Sequence, residues 1–253
     1  GVSPTYPKER LAESAKTVLA ANGLDASVRL IDHTLAVQFA YPGVLEQIGD
    51  SLRIGPGFNE AAYKALSAVH QVLLSTDADV HFYLLLVSDP EIPHAYLTLV
   101  RYFEDIRKLD VKIIGVSEMM SRTVVELNVV GAEPLTLDTY PPRGIQLSEF
   151  LTWQLTRRIQ QELMTALEGT GVAVGRGQGQ FQEGEFLFAL NIVPMSHGPI
   201  DEETMQRAFE TTTQLIAEVL SGYEFESFKT IHLVHPLTGR HLIIPRPKLE
   251  FFR

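Results

Sequence analysis

Apolar residues recur along this chain at helical and at strand spacing, and the same succession of the two is met twice. Leu11, Ala15, Val18 and Leu19 follow the i, i+4, i+7, i+8 pattern of a helix with one buried face, and Asn22-Gly23 stops it. Val28 to Ile31 and Leu35 to Tyr41 read as strands around Asp32-His33. The stretch from Gly43 to Gly57 is expected to be mostly loop. A second helix, capped by Asn59, carries Ala62, Leu66, Val69 and Leu73 on one face. Val80 to Val87 is almost continuously apolar, the pattern of a strand buried on both faces, and Ala95 to Arg101 is its partner. A short helix over Arg101–Leu109, another near Ser117–Ser121 and a strand over Thr123–Val130 follow.

The second half keeps this order. Ser148 is expected to cap a helix with Leu151, Leu155, Ile159, Leu163 and Leu167 inward, and Gly169 ends it. Val172 to Val174 and Glu185 to Val193 read as strands. Asp201 opens the most regular helix, on which Met205, Ala208, Phe209, Thr212, Leu215, Ile216 and Val219 form one stripe. Phe228 to Val234 and His241 to Ile244 form a closing hairpin, and Pro245 and Pro247 put its last strand at a sheet edge. The helix stops Gly23 and Gly169 stand 146 residues apart, as do the turn prolines Pro90 and Pro236.

This ordering predicts an α+β fold of two related helix–strand–strand–helix–strand–strand repeats, with mainly antiparallel sheet and helices packed on one face. Residues 1–131 form the first repeat, 132–146 a Pro-rich linker (Pro134, Pro141, Pro142) and 147–253 the second. Residues 8–103 and 147–252 are expected to superpose. Two domains and one pseudo-symmetric unit are both compatible with the pattern.

Charge and composition narrow the partners. Lys+Arg 21 against Asp+Glu 31 leave a net charge of −10, a surface that repels phosphates, so no nucleic acid partner is expected. A small molecule or a protein remains. No apolar run reaches the roughly 18–20 residues that span a bilayer. With no cysteine, disulfides, thiol catalysis and Cys-based metal centres are excluded. The start at Gly1, ahead of Val2-Ser3-Pro4-Thr5-Tyr6-Pro7, leads to the expectation of an exported bacterial protein, extracytoplasmic and either periplasmic or held by a lipid anchor upstream of residue 1. A cytoplasmic protein with a trimmed start gives the same beginning.

Candidate chemistry gathers at the hairpin tips. Gly175, Gly177 and Gly179 lead into Phe181 and a strand, where a phosphate cradle needs a helix N-terminus, so they are expected as a flexible hairpin tip. His94 and His241 hold nearly equivalent places in their hairpins, beside Asp89 in one and His235 and Arg240 in the other. Asp89, His94, His235, Arg240 and His241 are therefore the candidate ligand-binding residues; ordinary turn chemistry is the competing reading. No nucleophile elbow and no paired-histidine helix motif is present. Neither a cofactor nor a metal is expected, because histidines at strand spacing alternate faces. If any histidines meet, His33, His81 and His94 are the set to inspect. The sequence therefore points to a non-catalytic binding or scaffold protein that uses the surface between its halves. The alternative is a small-molecule enzyme at the hairpin tips, built on Asp89, His94, His235 and His241.

Overall fold

The computed structural model describes residues 5–130 and 135–252 and divides the chain into two compact units, Gly1–Ile145 and Gln146–Arg253. The fold is α+β, and its sheets are mostly antiparallel.

In the first unit α1 (Leu11–Ala21) precedes β1 (Ser27–Ile31) and β2 (Thr34–Ala40). The region expected as loop contains a two-stranded ribbon, β3 (Leu45–Ile48) and β4 (Ser51–Ile54). Each strand has only four residues, Ile48 and Ile54 face solvent, and Pro42, Gly43, Gly49, Gly55 and Pro56 flank or separate the strands, which is why the stretch reads as loop. Then follow α2 (Phe58–Leu73), β5 (Phe82–Asp89), β6 (Ile92–Tyr102), α3 (Phe103–Asp110), α4 (Val116–Arg122) and β7 (Val124–Val129). Helix α2 begins one residue before Asn59, at the end of a glycine turn, so Asn59 is not its cap. The main sheet has the order β1-β2-β5-β6-β7, with β2 and β5 parallel and the other neighbours antiparallel.

One face of this sheet (Leu35, Val37, Phe39, Tyr83, Leu85, Val87, Leu97, Leu99) packs on Leu11, Ala15 and Leu19 of α1 and on the alanine-rich inner face of α2. Small residues at Ala61, Ala65 and Ala68 let that helix lie close to the strands. On the opposite face, Ala36, Leu84 and Leu86 are buried as well, as the continuous apolar run in β5 predicts. Of the segment expected as linker, residues 135–145 are bonded into this unit. Gln38 donates to Leu135 O at 2.9 Å and accepts from Leu137 N at 3.3 Å. Asp32 accepts from Gly144 N at 3.0 Å, and Thr34 Oγ1 accepts from Ile145 N at 2.9 Å. Gly131 and Pro134 lie outside the described residues.

The second unit runs α5 (Leu147–Ala166), β8 (Val172–Val174), β9 (Gln178–Gln182), β10 (Glu185–Ala189), β11 (Ile192–Pro194), α6 (Glu202–Gly222), β12 (Thr230–His235), β13 (Arg240–Pro245) and α7 (Arg246–Leu249). Helix α5 starts from Gln146, whose N–H is accepted by Glu149 Oε1 at 3.4 Å, and not from Ser148. Asp201 caps α6 as expected, its carboxylate accepting from Thr204 N at 2.7 Å. The sheet order is β13-β12-β10-β9, with β10 and β12 parallel and both flanking pairs antiparallel. This is the order and sense of β6-β5-β2-β1 in the first unit. Strand β13 is an edge, as its prolines require. Phe181, Phe186, Phe225 and Phe228 form an aromatic cluster, with ring centroids 4.7 to 6.3 Å apart.

Candidate functional site

The run expected as one strand, Glu185 to Val193, is two. β10 ends at Ala189, and the chain turns through Leu190-Asn191 to pair as β11 with β8. That departure opens a cavity of about 520 Å³ beside the sheet. Its walls are Arg176–Gln178 ahead of and within β9, Ala189–Val193, and His235–Leu237 at the β12–β13 turn. Gly175, Gly177 and Gly179 are therefore not the tip of a hairpin: the β9–β10 tip is Glu183-Gly184, both at positive φ. A Cβ on Gly177 would collide with Ala189 O, and one on Gly179 with Thr156 Oγ1 and, at 2.9 Å, with the Phe188 ring. These glycines allow close approach of backbone, helix and sheet.

His235 is among the residues that line the cavity and is buried. Its Nε2 lies 2.7 Å from Ile192 O and its Nδ1 2.8 Å from Thr238 Oγ1, so the ring ties the β12–β13 turn to the start of β11. Both nitrogens are thus engaged. Val193 and Leu237 present exposed apolar surface at the rim, and Asn191 Nδ2 donates to Arg176 O at 3.3 Å. The site offers mainly apolar surface and backbone edges, with Arg176, Gln178, Asn191 and His235 as the polar residues of its wall.

Asp89 is buried at the corresponding strand end of the first unit. Its Oδ2 accepts from Gly43 N at 3.0 Å and Leu45 N at 3.2 Å, and its Oδ1 accepts from Glu91 N at 3.0 Å. A smaller cavity, about 230 Å³, lies against it, bounded by Gln38, Ser88, Pro93, Tyr96 and Thr136 among others. The remaining candidates are dispersed. His94 is exposed, and its carbonyl accepts from Val130 N. Arg240 pairs with Glu202 and lies 5.5 Å from the Phe209 ring centroid, and exposed His241 is 3.3 Å from Gly239 O. Within each unit these side chains share no hydrogen bond or ion pair among the described residues.

Sequence reasoning missed a buried polar cluster in the first unit. His70 Nε2 lies 2.6 Å from the Tyr83 hydroxyl. Burial, helped by the Arg101 cation, lowers the His70 pKa to about 4, and burial raises that of Tyr83. Arg101 donates to Thr123 Oγ1 at 2.8 Å, and Arg122 pairs with Asp105 at 2.7 Å, both buried. The signal for it was the hydroxyl-bearing Tyr83 inside the otherwise apolar run Phe82–Val87. Burial thus keeps His70 neutral and Tyr83 un-ionised at ordinary pH. No protein-family model, curated protein or solved structure matches this chain.

Proposed function

We propose that this protein is a non-catalytic binding protein, and that its second unit takes a small, largely apolar molecule in the cavity above His235. The carrying observation is that cavity itself: about 520 Å³, within the range of small-molecule sites, with Val193, Pro236 and Leu237 along its wall. The one histidine in its wall is tied through both ring nitrogens to Ile192 O and Thr238 Oγ1, an arrangement that favours a fixed wall over a proton shuttle. The net charge of −10 favours neutral or cationic ligands.

An amide-detected NMR titration with a library of small apolar fragments tests this reading. The expected result is saturable shifts confined to residues 176–178, 189–193 and 235–237, abolished by Leu237→Asp. Shifts elsewhere, or none, would overturn it. Turnover of any substrate that disappears in His235→Ala while the fold is kept would favour the enzyme reading instead. An extracytoplasmic placement is proposed on the sequence alone, and fractionation of the native host tests it. The shared strand order of the two units supports an origin by duplication, and superposition of residues 8–103 on 147–252 is its check.

A further inference from the structure

We propose that His33, Asp79 and His81 form a binding site for a divalent first-row transition metal of the zinc class, on the first unit and independent of the cavity in the second. The backbone builds it. β2 and β5 are parallel neighbours with Thr34 opposite Phe82, so the residues just before them, His33 and His81, stand side by side at the same sheet end. The pair is fixed by His81 N and Phe82 N, which both donate to His33 O, at 2.8 and 3.2 Å. Asp79 precedes His81 by two residues, and on extended chain such residues share a face. A one-residue slip of either strand would separate the three.

The distances suit a metal. His33 Nδ1 lies 3.5 Å from Asp79 Oδ2, and His81 Nε2 lies 3.1 Å from Asp79 Oδ1. One ligand atom from each residue falls within 4.8 Å of the others. Ligands at 2.0–2.1 Å around a tetrahedral ion are separated by about 3.3 Å, which a small turn of the exposed Asp79 carboxylate and of the two rings reaches from these spacings. Two imidazoles and one carboxylate select zinc, copper, nickel or cobalt over calcium or magnesium, which require several oxygen ligands. The set leaves the fourth tetrahedral position to water.

Two adjustments accompany binding. His33 Nδ1, now 2.8 Å from Asp79 O, presents its lone pair to the ion in the tautomer that carries the proton on Nε2. The His33 and His81 rings, stacked at 4.3 Å and 14°, must open so that their lone pairs converge. Both side chains are about half exposed, so this opening disturbs no core packing. Sequence spacing alone led to the opposite expectation, and His94, the third histidine it grouped with these, starts from the far end of β5 and β6.

Isothermal titration of the full untagged chain with zinc chloride tests the site. One saturable zinc per chain is expected, weakened at least about tenfold by His33→Ala, His81→Ala or Asp79→Asn. His94→Ala should bind as wild type, calcium in excess should not compete, and the Cε1–H signals of His33 and His81 should shift together. Because the three side chains are exposed and the backbone bonds stay intact, the variants should keep the wild-type circular dichroism spectrum. Failure to saturate with zinc in large excess would overturn the proposal. So would binding that survives all three variants and is lost in His232→Ala or His241→Ala. Neither result bears on the cavity of the second unit, which the fragment titration reads separately.

Discussion

Asp89 and His235 hold the same place in the two units. Each is the buried last residue of the strand that runs parallel to its neighbour, β5 beside β2 and β12 beside β10. Each side chain bonds to the backbone of the segment that leaves that neighbour, Gly43 and Leu45 in one unit and Ile192 in the other. Both departing segments go on to pair with other strands, β3 with β4 and β11 with β8, and at each crossing the side chain satisfies backbone groups that the parallel neighbour no longer reaches. A carboxylate meets donors and an imidazole meets an acceptor. The two units solve one geometric problem with opposite polarity.

Removing either tie should therefore cost more than removing the exposed histidines nearby. Asp89→Ala leaves three backbone N–H groups without their acceptor, and His235→Ala takes away the donor to Ile192 O and the ring's bond to Thr238 Oγ1, which keeps only Arg240 N. We expect each to lose about 2–4 kcal/mol of stability. His94→Ala and His241→Ala should stay within about 0.5 kcal/mol, as surface changes do. Urea denaturation of the four variants checks the contrast. Equal, small effects at all four positions would mean that the hydrogen bonds of Asp89 and His235 are not maintained in solution.

Gly179→Ala should destabilise the second unit by about 1–3 kcal/mol, because the added methyl meets the Thr156 hydroxyl and the Phe188 ring. Pairing it with Thr156→Ala removes the nearest of those atoms and should recover part of the loss. A double-mutant cycle measures this coupling. Additive effects would show that helix α5 does not lie against β9 at this point.

The strip around Gly179 also explains what the sequence did and did not make legible. Helices α5 and α6 were readable because their inward positions carry large apolar side chains at a helical period, α2 because its smaller apolar residues keep the same period, and β5 because its run is almost continuously apolar, whereas the stretch that holds β7 was the least regular. Strand β9 alternates too, but it reads Gln-Gly-Gln-Phe-Gln: the inward slot at 179 is glycine, since the helix leaves no room for more. The β3–β4 ribbon escaped notice because most of its side chains face solvent. For the candidate site, the 146-residue spacing joined equivalent hairpin tips, yet His94 and His241 drew attention by residue type. The pair at that spacing which does bond is Asp89 and His235, and only a parallel partner strand, absent from any local pattern, brings their acceptors and donors within reach. Likewise, His33 and His81 meet through β2–β5 register, which no periodicity encodes.

Phe209 sits mid-stripe on α6, buried, with the Arg240 guanidinium 5.5 Å from its ring centroid. Phe209→Ala should cost about 3–5 kcal/mol, as truncation of a buried aromatic does. Arg240→Ala should cost under about 1 kcal/mol, since its partner Glu202 is exposed and a surface cation over a ring adds little. Thermal melts followed by circular dichroism separate the two. Comparable losses would place the energy in the Arg240–Glu202 pair and not in the helix face.

His70 should give the first unit a dependence on pH of known sign. Its pKa falls from 6.5 to about 4 on folding, because burial in α2 against Tyr83, and then the Arg101 cation, disfavour the imidazolium. Between these values the unfolded chain takes up a proton that the folded chain refuses, so stability rises with pH across this window. Above pH 6.5 the penalty is absent; below about pH 4 it is complete, about 3–4 kcal/mol at about 1.4 kcal/mol per pH unit. Carboxylates titrate in the lower part of the same window, so the variant His70→Gln is the reference: it can keep a bond to the Tyr83 hydroxyl and does not titrate. Urea midpoints measured from pH 4 to 8 should show wild type losing stability on acidification more steeply than His70→Gln, with the divergence beginning near pH 6.5. Parallel curves would mean that His70 accepts its proton in the folded state, and that the ring reaches water instead of resting on Tyr83.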